Sequence, residues 1–276
     1  MPDIKLITID LDHTLLDNER QVSERNARAV RQAVEEGVTV AIATGRSHSS
    51  ALTYARQLEI DAPIISYNGA MIRRPDDEQP MRHLRLEADL AAEIVETLVH
   101  DMIDFLYFLD GELYVAKFDR WARRYLQRTG DRAIIAGDRR KFAGKRPTKL
   151  LMVGTPEQTR TRYERFTEEY GDRIYCTISL PEYMEILDPG ATKATALEWL
   201  ADHLGIPIEQ TMALGDSLND LEMVRAAGTG VFMPCADDEI KQYADFVPES
   251  QDEGVGEALE KLVLGQTAVT TASGDG

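Results

Sequence analysis

The chain opens on a short apolar run, Ile4-Lys5-Leu6-Ile7-Thr8-Ile9, that ends in two carboxylates, Asp10 and Asp12. A run of that length, rich in β-branched residues, suits a strand buried on both faces. A helical pattern follows. Ser23 stands as its N-cap, Ala27, Val30, Ala33 and Val34 recur at helical spacing, and Gly37 closes it. Residues 38–43 repeat the buried-strand pattern and end on Thr44-Gly45-Arg46. Ser47 caps a helix running to about Leu58, and residues 63–67 form a third strand closed by Asn68-Gly69. Strands alternating with helices in this way imply right-handed βαβ units and a parallel sheet.

The pattern changes from about Arg82 to Leu187, where it predicts helix, two strands, helix, strand, helix, two strands. Residues 104–109 and 113–117 fit a hairpin around Asp110-Gly111. This is α+β texture and suggests a separately packed domain. The basic groups Arg139-Arg140-Lys141 and Lys145-Arg146 within it read as a solvated loop. From Asp188-Pro189-Gly190 onward the α/β alternation returns, with a helix over residues 192–204, a strand at 211–214, a helix ending at Ala227 and a short strand near Val231. The predicted architecture is therefore α/β: a Rossmann-like parallel-sheet core from residues 1–82 and 188–276, with an α+β domain of residues 83–187 inserted. The stretch from Gly265, rich in Thr, Ala, Ser and Gly, predicts a frayed end.

Composition narrows the partners. A hydrophobic fraction of 43% in 276 residues supports real cores. Net charge is −17, from 48 acidic and 31 basic residues. That argues against nucleic acid or an anionic membrane as partner, because both need cationic surface. A small anionic substrate stays open, since local cations and a metal can reverse the field within one site. The two cysteines, Cys176 and Cys235, lie far apart and suggest neither a zinc site nor a disulfide framework. Free, buried thiols, no signal-peptide layout and no membrane-length apolar run together predict a cytoplasmic protein, a monomer or small homo-oligomer.

The polar residues that close these runs carry the chemistry. In open α/β sheets, ligands bind beyond the carboxyl ends of the strands. Asp10 and Asp12 close the first strand, Thr44-Gly45-Arg46 the second, and Gly215-Asp216-Ser217-Leu218-Asn219-Asp220 a later one, while Lys193 begins the helix after the insertion. Taken singly, each has a plainer reading: an acidic turn, a Thr-Gly turn, a solvated lysine, and a Ser217/Asp220 capping box. Together they gather carboxylates, which suit a hard cation such as Mg²⁺, with a hydroxyl, amides and an ammonium, which suit a phosphate.

This set resembles the haloacid dehalogenase superfamily of phosphatases, and within it the class IIB, Cof-type sugar-phosphate phosphatases. Ser66-Tyr67-Asn68-Gly69-Ala70 matches that group's Asn-Gly-Ala segment. The resemblance spans nearly the whole chain and implies a HAD-like core with a cap. It implies Mg²⁺-dependent hydrolysis of a small phosphorylated metabolite. Asp10 matches the nucleophile that forms an aspartyl-phosphate, and Asp12 the general acid/base, with its main-chain carbonyl on the metal. Thr44 and Gly45 match the phosphate-holding motif, with Arg46 and Asn68 as further substrate contacts. Lys193 matches the cation that offsets charge around Asp10. Asp216 matches a direct metal ligand beside Asp10 and Asp12, Asn219 a contact to phosphate or metal-bound water, and Asp220 a group that orients these ligands or pairs with Lys193.

The chain departs from the group in two places. His13 stands where glycine is usual, and Met233-Pro234-Cys235-Ala236 replaces a Met-Gly-Asn-Ala segment. Pro234 removes an amide donor and Cys235 an amide side chain; no histidine partner nearby marks Cys235 as catalytic. In the cap, Trp121, Tyr125, Tyr107, Tyr183 and Glu185 are candidates to face the substrate, each also readable as cap core or surface. Two alternatives share the motifs: a phosphomutase or phosphotransferase that excludes water at the second step, and a non-catalytic phospho-ligand sensor. The sensor would lack one of Asp10, Asp12, Lys193 or Asp216, and all four are present. A receiver-type signalling domain would be about half this length and lack the insertion.

Overall fold

A computed structural model describes residues 3–265, so the stretch beyond Gly265 that was expected to fray lies outside the described residues. Before the insertion, the chain runs β1 (Leu6–Ile9), α1 (Glu24–Glu35), β2 (Thr39–Ile42), α2 (His48–Gln57), β3 (Ile64–Ser66), β4 (Met71–Arg73) and β5 (Arg82–His83). Then come α3 (Ala88–His100), β6 (Phe105–Leu109), β7 (Glu112–Val115), α4 (Arg120–Thr129), β8 (Ala133–Ile135), β9 (Lys149–Val153), α5 (Pro156–Tyr170), β10 (Tyr175–Leu180) and β11 (Tyr183–Leu187). The last part holds α6 (Lys193–Leu204), β12 (Thr211–Gly215), α7 (Leu221–Ala226), β13 (Thr229–Phe232), α8 (Asp238–Lys241) and α9 (Gly254–Leu262).

The central sheet is parallel, in the order β13-β12-β1-β2. Ile7 pairs in register with Met212 on one side and Val40 on the other. These three residues, with Ile9, Ile42 and Leu214, face α1, α2 and α9, while Leu6, Ala41 and Ala213 face α6 and α7. Small residues on the second face let Ala196 and Ala201 of α6 approach the sheet closely. Ser23 caps α1 by accepting from the Asn26 amide. Buried Asn26 then bonds Asp252 O and the Gly256 amide, which ties α1 to α9. The chain moves from β1 outward to β2 and later returns to β12 on β1's other side, so a crevice opens at the carboxyl ends of β1 and β12.

The third expected strand is present, but it also carries partners that the prediction lacks. β3 lies parallel beside the end of β2, through an Ala43–Ile65 bridge and the bonds Thr44 N to Ile65 O and Tyr67 N to Arg46 O, and on its other side pairs antiparallel with β4, which pairs with β5. Its three residues are too few to extend the sheet far, and the Tyr67–Gly69 turn folds the chain straight back onto them.

The cap is a second sheet, in the order β10-β11-β9-β6-β7-β8. The β6–β7 hairpin turns at Asp110 (φ 53°) and Gly111 (φ 84°), the paired left-handed residues of a tight hairpin turn. β8, short and with Ile134 and Ile135 exposed, goes unpredicted. So do α8 and α9. Strand alternation divides the cap residues cleanly. Phe105, Tyr107, Leu150, Met152, Met184 and Ile186 pack with α3 and α5. Leu106, Phe108, Leu151, Val153, Tyr183 and Leu187 pack with α4 and with Tyr67, Ala70 and Met71 of the core. Arg139 corrects the solvated-loop reading: it is buried, with its guanidinium 3.9 Å from the Phe105 ring centroid. The cysteines correct theirs, since Cys176 is half-buried and Cys235 exposed. Among the described residues, no helix is long and apolar enough to cross a membrane.

Candidate active site

Asp10 leaves the end of β1 with its carboxylate buried, and its Oδ1 accepts from Lys193 Nζ at 2.6 Å. The lysine begins α6, whose N-cap Thr192 forms a reciprocal capping box with Thr195. Lys193 is fully buried rather than solvated, and it also donates to Asp220 Oδ1 at 2.5 Å. Asp220 Oδ2 takes the amides of Asp216 and Ser217, both at 3.1 Å, so both of its oxygens are engaged by the protein. Gly215 makes this fold-back possible, because a Cβ there would stand 2.3 Å from Asp220 Cβ.

Oxygens of Asp10, Asp216 and Asp220 lie within 4.8 Å of one another. With Asp220 turned to Lys193 and the amides, Asp10 and Asp216 are the carboxylates with an oxygen to offer a cation. Thr14 Oγ1 steadies Asp216 by donating to its Oδ1 at 3.0 Å. Burial, and then the other aspartates, push Asp10 up to about 7 even against the pull of Lys193. Burial, with Asp10 and Asp220 beside it, pushes Asp216 well above the usual carboxylate range. Three carboxylates facing one ammonium form a site whose charge a divalent cation corrects, and all-oxygen donors suit a hard one.

Asp12 points elsewhere. Its Oδ2 accepts from Arg46 Nε and its Oδ1 from Arg46 Nη2, each at 2.7 Å, a bidentate pair. Oδ1 also accepts from Arg128 Nη2, on α4 of the cap, at 2.9 Å. Despite burial, the two guanidinium groups hold the Asp12 carboxyl down at about 2. Arg46, expected as a substrate contact, thus first serves Asp12, and it is buried with the Tyr54 ring beneath its guanidinium.

Thr44 N donates to Ile65 O and Asn68 N to Thr44 O, which locks the Thr44-Gly45-Arg46 turn to the Asn-Gly-Ala segment. Gly45 lies so close to Asn68 that a Cβ would meet its Oδ1 at 3.0 Å. Asn219 Nδ2 donates to Asn68 Oδ1 at 2.9 Å, and Asn68 Nδ2 to Glu185 Oε2 at 2.8 Å. Glu185 also meets Lys149 Nζ at 2.8 Å, and that ammonium donates to Gly45 O at 2.7 Å. One pocket is therefore lined by Asp10, Asp12, Thr44, Gly45, Arg46 and Asn219 from the core and by Arg128, Lys149, Tyr125, Tyr183 and Glu185 from the cap.

Sequence reasoning missed Lys149 and Arg128. Lys149 shares the core-facing side of β9 with Leu151 and Val153, and Glu185 that of β11 with Tyr183 and Leu187. Two-residue periodicity held that signal once the strand faces were known. Tyr107 belongs to the cap core, stacked on Phe142, and Trp121 lies away from the pocket. His13 sits at φ 62°, the left-handed backbone that explains why glycine suits this position. Its Nε2 is 3.4 Å from Arg128, and burial together with that cation holds its pKa low. Although the Cys235 residue is exposed, partial desolvation of its thiol and the nearby Asp216 carboxylate push it up to about 11, which makes it a poor nucleophile at neutral pH.

A parallel sheet with an acidic crevice and an inserted cap defines a class of enzyme, and comparison with known proteins names it. Residues 7–259 match the haloacid dehalogenase-like hydrolases, and the chain belongs to that family. It is a phosphatase of the family's class IIB, Cof type. It is 29% identical to the 5-amino-6-(5-phospho-D-ribitylamino)uracil phosphatase YitU of Bacillus subtilis, over 93% of this chain and 96% of that one. It is 30% identical to the phosphatase YwpJ of the same organism, over 94% of this chain and the whole of YwpJ. A solved haloacid dehalogenase-like hydrolase from B. subtilis superposes with a TM-score of 0.84 at 29% identity, covering 94% of this chain and 100% of that one.

Proposed function

We propose that this phosphatase hydrolyses a small phosphate monoester, of the sugar-phosphate kind, through an aspartyl-phosphate on Asp10. YitU's phosphoribityl substrate supports that class. The observation that carries the reading is the placement of Asp10: its carboxylate is buried, held by Lys193 and shares one pocket with Asp12, Thr44 and Asn219.

In the first step, an Asp10 carboxylate oxygen bonds to phosphorus while the bond to the leaving oxygen breaks, and Asp12, once it has given up a guanidinium and taken up a proton from solvent, supplies that oxygen's proton. In the second, water attacks the same phosphorus and gives its proton to Asp12, which releases phosphate and restores Asp10. Thr44 Oγ1 and the following amide hold phosphoryl oxygens, and Lys193 offsets their charge where it spreads in a loose transition state. Asp10 and Asp216, with the Asp12 main-chain carbonyl, are the ligands we assign to Mg²⁺, which when bound supplies charge neutralisation between the carboxylates and the phosphoryl group. Asp220 keeps Lys193 in place and fixes the 215–220 turn. The division into a core of 1–82 and 188–276 and a cap of 83–187 fits this role, because the cap covers the pocket and excludes water.

The test is phosphate release from a panel of phosphomonoesters with Mg²⁺ or with chelator. We expect Mg²⁺-dependent turnover, and Asp10→Asn to lose on the order of a thousandfold or more while folding normally. Full activity in Asp10→Asn would remove the nucleophile assignment. Transfer to a sugar acceptor outpacing hydrolysis would favour a phosphotransferase.

A further inference from the structure

The charges around the pocket do not balance uniformly. Toward the metal side, Asp10, Asp216 and Asp220 face Lys193 alone. Toward the cap, the cations Arg46, Arg128 and Lys149 face only the carboxylates Asp12 and Glu185. Lys149 and Glu185 neutralise each other at the pocket wall, with side chains 1% and 3% exposed. The remaining positive charge therefore lies with the two guanidinium groups, which share one carboxylate. Arg46 is buried, Arg128 is 28% exposed in its side chain, and both line the pocket that holds Asp10. Among the described residues, Asp12 is the one carboxylate either of them meets.

The Asp12 bonds make this more than a surplus. Three guanidinium N–H groups donate to its two oxygens. To serve a leaving oxygen, as the proposed function requires, Asp12 has to give up at least one of them. A guanidinium released in a half-closed pocket needs another planar or tetrahedral anion. The nearest place for one is on the leaving group.

We propose that Arg128, together with Arg46, binds a second anionic group on the substrate's leaving portion, so that the preferred substrate is a phosphomonoester bearing a further carboxylate or phosphoryl group. The inference rests on the phosphatase reading for its orientation, with Asp12 on the leaving-group side. It assigns Arg128, a cap residue, as a specificity determinant. A whole-chain charge of −17 makes such a local cation the more selective, because the remaining surface repels anions.

The test compares glycerol phosphate, whose leaving group is neutral, with terminal phosphoglycerate and glycerol bisphosphate. The three differ in the remote group, so they also separate a carboxylate from a second phosphoryl group as its source. In the wild type we expect kcat/KM to favour at least one anionic member by about tenfold or more, and Arg128→Gln to shrink that ratio to within about threefold. Ratios are taken within each variant, so a general loss of activity cancels. Binding of the same three compounds to Asp10→Asn, with and without Arg128→Gln, is measured by calorimetry and needs no turnover. Equal kcat/KM for all three in the wild type, or a preference that survives Arg128→Gln, overturns the inference while leaving hydrolysis intact. If no compound is hydrolysed, the calorimetric ratios alone uphold or overturn the anion site, and the phosphomonoester panel separately decides the proposed function.

Discussion

The Lys149–Glu185 pair permits a quantitative test of how the cap is held to the core. Both side chains are essentially removed from water, at 1% and 3% exposure. Lys149 Nζ donates across to Gly45 O, and Glu185 accepts from Asn68 Nδ2 and from Ser179 Oγ at 2.6 Å. Replacing Lys149 by Met keeps the stem volume but leaves the Glu185 charge buried with two neutral donors. Breaking a buried pair from one side costs about 3–5 kcal/mol, because the surviving charge is uncompensated. Replacing both partners, Lys149→Met with Glu185→Leu, removes the charge itself, and the cost should fall to about 1–3 kcal/mol, mainly for the orphaned Asn68 and Gly45 groups. The exposed Arg124–Glu182 pair at 2.7 Å, with the arginine side chain 59% exposed, is the control. Breaking it should cost about 1 kcal/mol or less. Urea denaturation of the four variants and wild type, monitored by fluorescence and circular dichroism, gives the cycle. A Lys149→Met cost near that of the surface control, or a double variant as unstable as the sum of the singles, would refute the argument.

Other consequences are equally concrete. Gly215→Ala drives a Cβ to 2.3 Å from that of Asp220, so we expect a loss of about 1–3 kcal/mol in chemical denaturation and a fall in kcat, as Lys193 loses its second carboxylate. Divalent cation should raise the melting temperature with the logarithm of its concentration above Kd, equivalent to about 2.7 kcal/mol at a hundred times Kd, and Asp216→Asn should largely abolish the shift. An equal shift in that variant would move the cation elsewhere. Buried His48 is held down to about 4 from 6.5 by burial and by Arg73. The unfolded chain therefore takes up a proton that the native state refuses between those values, and stability falls as pH drops through that window. By pH 4.5 the loss from this one residue is about 2.5 kcal/mol, and His48→Gln should remove it from the pH–stability profile without altering stability at pH 8 by a similar amount.

Much of the core and little of the pocket's cap side was legible in the chain. Strand ends on parallel-sheet runs are readable because burial on both faces leaves almost no polar residue inside the run, so the first polar residue after it stands out. Asp10, Thr44 and Asp216 all stand out this way. Ser23 and Ser47, read as N-caps, do accept from amides three residues on, because capping is local chemistry. The third strand formed and bridges β2 in parallel, but its second, antiparallel partner went unread, because the turn that supplies it is read only once the chain is folded back. Arg139 failed because a basic cluster has no way to announce that one member lies over Phe105.

Lys149 and Arg128 lie at the limit of what periodicity can reveal. A lysine at the start of an apolar strand reads as the water-facing end of that strand, and here it is buried because Gly45 O and Glu185 converge on it from two separate segments. Arg128 lies near the end of a helix, where a cation is ordinarily explained by the dipole alone. Its reach to Asp12 exists only because the cap is seated over the core, across 116 residues of chain. The same contact explains why the two opening aspartates, alike in sequence, part in character: Asp10 is pressed toward protonation among carboxylates, and Asp12 is held ionised between arginines. A pair of residues two positions apart thus takes opposite electrostatics from opposite sides of one pocket, with the cap supplying half of that difference.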